Sequence, residues 1–232
     1  MILTAHQPVY IPWLGFFHKI YLTDYYCYFD IAQYQNKDFN NRNLIKTNEG
    51  PIWLSVPVES KNHFSKKVGK IKIINNGWNK KHFRSISLAY KKSKFYDKYI
   101  VEIERILMRT KYDLLSDLNL EFIKFGLKAL DIKTNIIIAS ENNFEGVKSD
   151  LVLDMCKKLG AKKYLFGSEG KNYANTESFI ANDIKAYFQE YDHPEYDQLH
   201  GEFCPKMSFL DLIFNEGHNS LKILLKDNIK SL

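Results

Sequence analysis

The strongest constraint in this sequence is a repeated order of segments. A short apolar run is followed at once by a polar or glycine-bearing loop, and then by a helix-periodic stretch. Ile2–Ala5 leads into His6–Pro12 and then Trp13–Leu22, where Leu14, Phe17 and Tyr21 recur at helical spacing. Asn135–Ser140 and Lys163–Phe166 read as buried strands. The helix between them has Leu151, Leu153, Met155 and Leu159 inside and Gly160 at its C-terminal end. Strands that alternate with helices, with loops placed directly at strand ends, predict an α/β fold. The expected form is a Rossmann-like, mostly parallel sheet flanked by helices, with a C-terminal α+β portion.

Further elements follow from the same periodicities. Tyr25–Phe29, Trp53–Val58, Lys70–Ile74 and Ile184–Tyr191 read as strands. Trp78–Tyr90 and Tyr99–Met108 read as helices, and Ser116 and Ser149 as caps of the helices that follow them. Thr176 starts a short helix. Ser208 with Asp211 resembles a capping box before a helix that stops at Gly217. The chain of 232 residues, without repeats or an evident linker, is expected to form one α/β domain over 1–232.

Composition excludes several classes. The apolar runs are far too short for a membrane span, and the N-terminus lacks the basic start and unbroken apolar core of a signal peptide. The expected location is the cytosol. Cys27, Cys156 and Cys204 are scattered and odd in number, with no metal-ligand spacing. His193 and His200 also lack zinc-like spacing, so no metal is expected. The net charge is +6. Its lysines fall in dispersed pairs such as Lys80–Lys81 and Lys157–Lys158, a pattern of solvated faces. Such a surface would still attract a nucleotide-linked or tRNA substrate.

Four loops carry the residue types that chemistry needs. In the first, His6 and Gln7 leave a strand and enter a loop held by Pro8 and Pro12, with Tyr10, Trp13 and Lys19 close by. Pro12 sits where a first-turn proline would start the helix, and Gly15 indicates close packing or close ligand approach. In open α/β sheets, ligands bind beyond the carboxyl ends of strands. The second loop runs from Asp30 to Asn43 and is dense in amides, with Lys37 and an isolated Arg42. Gln33, Asn41 and Asn43 offer donors and acceptors suited to sugar hydroxyls and base edges. Arg42 offers a bidentate clamp for phosphate or carboxylate. In the third, Lys81 or His82 reaches a phosphate from a helix start, or else belongs to an ordinary amphipathic helix. The fourth, Gly167-Ser168-Glu169-Gly170-Lys171-Asn172-Tyr173, has neither Walker A nor GxGxxG spacing. Ser168, Glu169 and Tyr173 are its candidate ligand residues.

Taken together, HQPVYIPWLGFFHKI, QYQNKDFNNRNLIK, WNKKHFRSI, YLFGSEGKNY, HPEYDQLHGEF and MSFLDLIFNEG resemble the WbqC-like protein family nearly end to end. The resemblance implies bacterial O-antigen or other surface-glycan biosynthesis, and action on a sugar nucleotide. It also suggests attachment of an amino acid or other acyl group to the amine of a nucleotide-linked amino sugar. A weaker resemblance is to nucleotidylyltransferase-type Rossmann enzymes, although the second histidine of an HxGH signature is missing after His6-Gln7-Pro8-Val9. On this reading His6, with Lys19 or Lys37, stabilises phosphate or developing negative charge. Asp30 orients or deprotonates the attacking amine. The acyl donor is an adenylate made from ATP, or an aminoacyl-tRNA. The alternatives are a glycosyltransferase of the same pathway and a non-catalytic sugar-nucleotide-binding protein.

Overall fold

A computed structural model describes residues 1–59 and 66–232. Five short strands form a wholly parallel sheet: β1 (Ile2–His6), β2 (Tyr25–Tyr28), β5 (Asn135–Ile138), β6 (Lys163–Phe166) and β7 (Lys185–Phe188). Their spatial order is β5-β2-β1-β6-β7. β1 is therefore central. The chain first builds outward on one side of it, through β2 and β5. It then crosses to the other side for β6 and β7. The reversal falls between β1 and β6, where a crevice opens beyond the carboxyl ends of the strands.

Strand alternation assigns the two faces. Tyr26 and Tyr28 enter a large core with α1 (Leu14–Tyr21), which connects β1 to β2. That core also holds α2 (Trp78–Tyr90), α3 (Tyr96–Glu104), α4 (Leu115–Ala129), α7 (Phe209–Glu216) and α8 (Ser220–Leu224). Leu3, Cys27, Tyr164 and Phe166 enter a smaller core. It is covered by α5 (Ser149–Leu159), through Val152, Met155 and Cys156, and by Phe179 of α6 (Thr176–Ile180). Cys156 is fully buried there, as its apolar helical face predicts.

Between β2 and α4 the chain leaves the sheet for a long excursion. This excursion holds an antiparallel hairpin, β3 (Arg42–Thr47) and β4 (Gly50–Ser55), together with α2 and α3. The antiparallel pairing thus lies in the first half of the chain. The expected C-terminal α+β portion is replaced by β7, which joins the main sheet, and by α7 and α8.

Several local expectations are corrected by tertiary contacts. Lys70–Ile74 does not form a strand. A 3-10 turn occupies Val68–Lys70, and single bridges pair Ile73 with Val58 and Lys72 with Leu114. The helix expected over Tyr99–Met108 begins earlier, at Tyr96, and ends in a π-helical turn, Arg105–Arg109. Ser116 does not cap α4. Leu115 N–H bonds the Ile71 carbonyl (2.9 Å), while the Ser116 carbonyl accepts from the Tyr28 hydroxyl (2.6 Å). Ser149 is already inside α5, and its hydroxyl accepts from Asn175 N–H (2.9 Å). Ser208 precedes α7 without a side-chain cap. Asp211 instead accepts from the hydroxyls of buried Tyr90 and half-buried Tyr196 (3.0 and 2.9 Å). Pro12 lies before the α1 N-cap, Trp13, and not in the first turn. Gly160 and Gly217 end their helices with positive φ, as expected.

Candidate functional site: a cleft at the sheet reversal

At the β1/β6 reversal the structure holds a cleft of about 500 Å³. Its floor is built by residues at the two strand ends. His6 ends β1 and Gln7 follows it, Phe166 ends β6, and Gly167-Ser168-Glu169-Gly170 turn away immediately after it. The turn is tight because Gly170 packs on Phe166. A Cβ at Gly170 would lie 2.5 Å from Phe166 Cβ. Val152 and Met155 of α5 form the apolar wall.

Lys19 is the central feature. It projects from α1 to the floor and is only 3% exposed. Its Nζ donates to the Ala5 carbonyl at 3.0 Å and lies beside Gly167, 3.8 Å from where a Cβ would be. An ammonium has three donors. Ala5 is its one acceptor, and it has no ion pair, among the described residues. Burial pulls its pKa from 10.5 down to about 7.

His6 stands next to it, edge-on to Trp13 and Phe16 with ring centroids 5.7 and 5.2 Å away. His6 Nδ1 lies 2.8 Å from the Gln7 carbonyl. A carbonyl only accepts, so Nδ1 carries the proton and Nε2 keeps its lone pair. Burial, and secondarily the Lys19 charge, lower the His6 pKa to about 3. The imidazole is therefore neutral across the working pH range. The floor thus combines a neutral imidazole with a buried amine that has no anion beside it among the described residues.

The loop that carries Gln7 and Trp13 is held under strain. Ile11 is β-branched and buried, yet has φ 44°, a conformation such residues rarely adopt. Asn43 holds it there. The Asn43 side-chain amide donates to the carbonyls of Tyr10 (3.2 Å) and Ile11 (2.8 Å). Asn43 is almost fully buried, so it shapes the loop and does not present its amide to a ligand.

Of the residues singled out in the sequence, the cleft gathers His6, Gln7, Trp13, Lys19, Ser168, Glu169 and Tyr173. The others are placed elsewhere. Tyr10 is buried, and its hydroxyl donates to His82 Nδ1 (2.8 Å). The His82 ring also bonds the Ser55 backbone, and burial lowers its pKa to about 4. That pair ties the loop to α2. Lys81 is exposed on α2. Asp30 receives Ser140 N–H at 2.9 Å, joining β2 to the end of β5. Asn41 donates to the Val56 carbonyl (2.8 Å), and Gln33 pairs with Lys67. Lys37 is an exposed turn residue with φ 59°, and its carbonyl accepts from Arg42. Arg42 stacks on Trp53, 4.4 Å from the ring centroid. Gly15 serves close packing, since a Cβ there would sit 3.0 Å from Tyr191.

Sequence reasoning passed over Asp38 and Phe39, which also line the cleft. The available signal was an aromatic residue set among amides. No group of three or more His, Cys, Asp or Glu positioned to hold a metal ion occurs among the described residues. No helix among them is long and apolar enough to cross a membrane.

Comparisons with known proteins agree with the end-to-end likeness of the motifs. The model of the WbqC-like protein family matches residues 7–223. The chain is also 30% identical over 212 residues to the uncharacterized protein Rv1507c of Mycobacterium tuberculosis, covering 91% of this chain and 92% of that one. No solved structure matches the chain.

Proposed function

This chain belongs to the WbqC-like protein family, and from that premise we propose that its cleft binds a nucleotide-linked amino sugar and acylates the sugar's amine. The acyl group is an amino acid or a similar carboxylate, and the product is an amide of surface-glycan biosynthesis. The observation that carries this reading is the pair on the cleft floor: neutral His6 beside a buried Lys19 with no counter-ion. Strand order also supports it. Two βα arms diverging from a central strand are the arrangement of Rossmann-like nucleotide-binding sheets, consistent with a nucleotidylyltransferase-type ancestry.

The chemistry follows from these two groups. Amide formation joins the amine nitrogen to an activated acyl carbon and breaks the bond from that carbon to its leaving oxygen. The amine must lose a proton as it attacks. His6 Nε2, kept unprotonated, accepts a hydrogen bond from that N–H and orients the amine's lone pair, and the proton passes to the departing oxygen. Negative charge develops on the acyl oxygen and the leaving group, and the Lys19 ammonium stabilises it within a poorly solvated floor. His6 takes the role expected of Asp30, whose carboxylate is engaged with Ser140. The leaving group is AMP if the donor is an adenylate made from ATP, or tRNA if it is an aminoacyl-tRNA. Ser168, Glu169 and Tyr173, exposed at the rim, are the proposed contacts for sugar hydroxyls.

The test incubates purified protein with a dTDP-amino sugar, glycine and ATP, with and without charged tRNA, and reads product mass. The expected result is one added glycyl group with one of the donors, lost in His6→Gln while nucleotide binding persists. Absence of a mass shift with every donor would overturn the proposal.

A further inference from the structure

Aromatic side chains form a file that runs out of the cleft. Ring centroids step from His6 to Trp13 (5.7 Å), from Trp13 to Phe39 (5.0 Å), and from Phe39 to Trp53 (5.9 Å). Exposure rises along it. Trp13 is half-buried, Phe39 is 37% exposed and Trp53 is 45% exposed. Trp13 and Phe39 line the cleft itself. Trp53 is the next ring after Phe39, with the Arg42 guanidinium over it.

Phe39 is an exposed phenyl on a loop that is held at every neighbouring position. Its carbonyl accepts from Tyr10 N–H at 3.0 Å, and its N–H donates to Asp38 Oδ1 at 2.7 Å. The next residue, Asn40, is fully buried. Its amide donates to the Pro8 carbonyl (2.7 Å), its Oδ1 accepts from Gln35 N–H (3.0 Å), and its carbonyl accepts from Asn119 (2.8 Å). A phenyl in this position loses apolar burial that a core site would give. The backbone nevertheless fixes it rigidly in the open. Rigid aromatic faces at a cleft mouth suit a planar ring partner, because every nucleobase has a π-face to stack.

The two ends of the cleft differ in chemistry. Buried Lys19 at the floor lacks an anion among the described residues, and the Trp13–Phe39 wall at the mouth is left partly open to solvent. We infer that the cleft is bipartite, with the diphosphate of a nucleotide on Lys19 and its base stacked on Trp13 and Phe39. This rests on the proposal that the cleft binds a sugar nucleotide, and it assigns which end takes which part. Trp53, itself covered by Arg42, packs against Phe39, so the shelf is formed before ligand arrives. Stacking reads no base edge, so the shelf selects for a planar base and not for one particular base.

Calorimetry with the full chain tests this using two probes, thymidine 5′-diphosphate and inorganic pyrophosphate. The expected result is that the nucleotide binds at least about tenfold more tightly than pyrophosphate. Phe39→Ala should weaken nucleotide binding by about tenfold and leave pyrophosphate binding unchanged. Phe39→Trp, which restores a ring, should recover it. Lys19→Met should abolish binding of both probes. Equal affinity for the two probes, or indifference to Phe39→Ala, would overturn the shelf and leave the anion site standing. If neither probe binds, the shelf and the sugar-nucleotide reading both fail. Phe39 is exposed, so its variants are expected to fold, and unchanged thermal midpoints would verify that.

Discussion

Replacing Lys19 by Met should make this protein more stable while removing the proposed anion site. The magnitude follows from burial. Lys19 is nearly inaccessible, and its pKa falls from 10.5 to about 7. At 1.36 kcal/mol per pH unit, that difference corresponds to roughly 5 kcal/mol of disfavoured charge when the group is protonated. Met fills similar space without the charge. It leaves the Ala5 carbonyl without its side-chain partner, at a cost of about 1–2 kcal/mol. The expected net gain is about 3 kcal/mol near pH 6.

The sign of the pH dependence is fixed. Between about pH 7 and the ordinary lysine value of 10.5, the unfolded chain binds a proton at this position that the folded chain does not. Wild-type stability should therefore rise with pH across that window, by up to about 1.4 kcal/mol per pH unit from this residue. The advantage of Lys19→Met should shrink in parallel, reach zero at about pH 9 and reverse above it, where the lost Ala5 hydrogen bond outweighs the relieved charge. Urea unfolding of both proteins across this range measures it. A variant that is less stable near pH 6, or whose gain does not change with pH, would refute the claim that the ammonium is held unpaired out of water.

Two further predictions concern the frame of the cleft. Asn43→Ala should cost about 2–4 kcal/mol in urea unfolding, because the buried Tyr10 and Ile11 carbonyls lose their donor. It should also weaken nucleotide binding, since the strained loop at Ile11 positions Trp13. Asp211→Ala should lower stability by about 2–3 kcal/mol, because the hydroxyls of buried Tyr90 and half-buried Tyr196 lose their acceptor. It should leave affinity for pyrophosphate unchanged, as Asp211 does not line the cleft.

Much of the sheet was readable because short apolar runs have few alternatives. Ile2–His6, Tyr25–Tyr28, Asn135–Ile138 and Lys163–Phe166 stand close to where the pattern puts them. Caps were read less well. At Leu115 and Ser149, distant partners, the Ile71 carbonyl and Asn175 N–H, settle what local pattern would give to a serine cap. The site shows a similar division. His6, Gln7 and Ser168 sit at strand ends, so their place follows from the strands. Lys19 was legible only as a residue near His6, because its burial depends on the β1/β6 reversal. Asn43 has the same functional groups as a ligand-binding amide, and only the positive φ at Ile11 explains why it turns inward. Phe39 could not be separated from core phenylalanines until its exposure was known.

The excursion between β2 and α4 has a consequence for how such a chain can diversify. It leaves from one strand of the parallel sheet, and the chain returns through α4 to β5, the strand next to it. Neighbouring strands lie about 4.8 Å apart, so length or sequence changes within the excursion need not move the sheet. The anion-holding floor belongs to the sheet and α1. Phe39, Trp53 and Arg42 belong to the excursion. On the proposed reading, the excursion thus supplies the outer part of the base shelf, while Trp13 and the anion site lie on β1, α1 and their connection. A relative that keeps Asn40 and Asn43, which tie the excursion to the Pro8–Ile11 loop, can vary the ring positions of Phe39 and Trp53 and leave the strand-end frame in place.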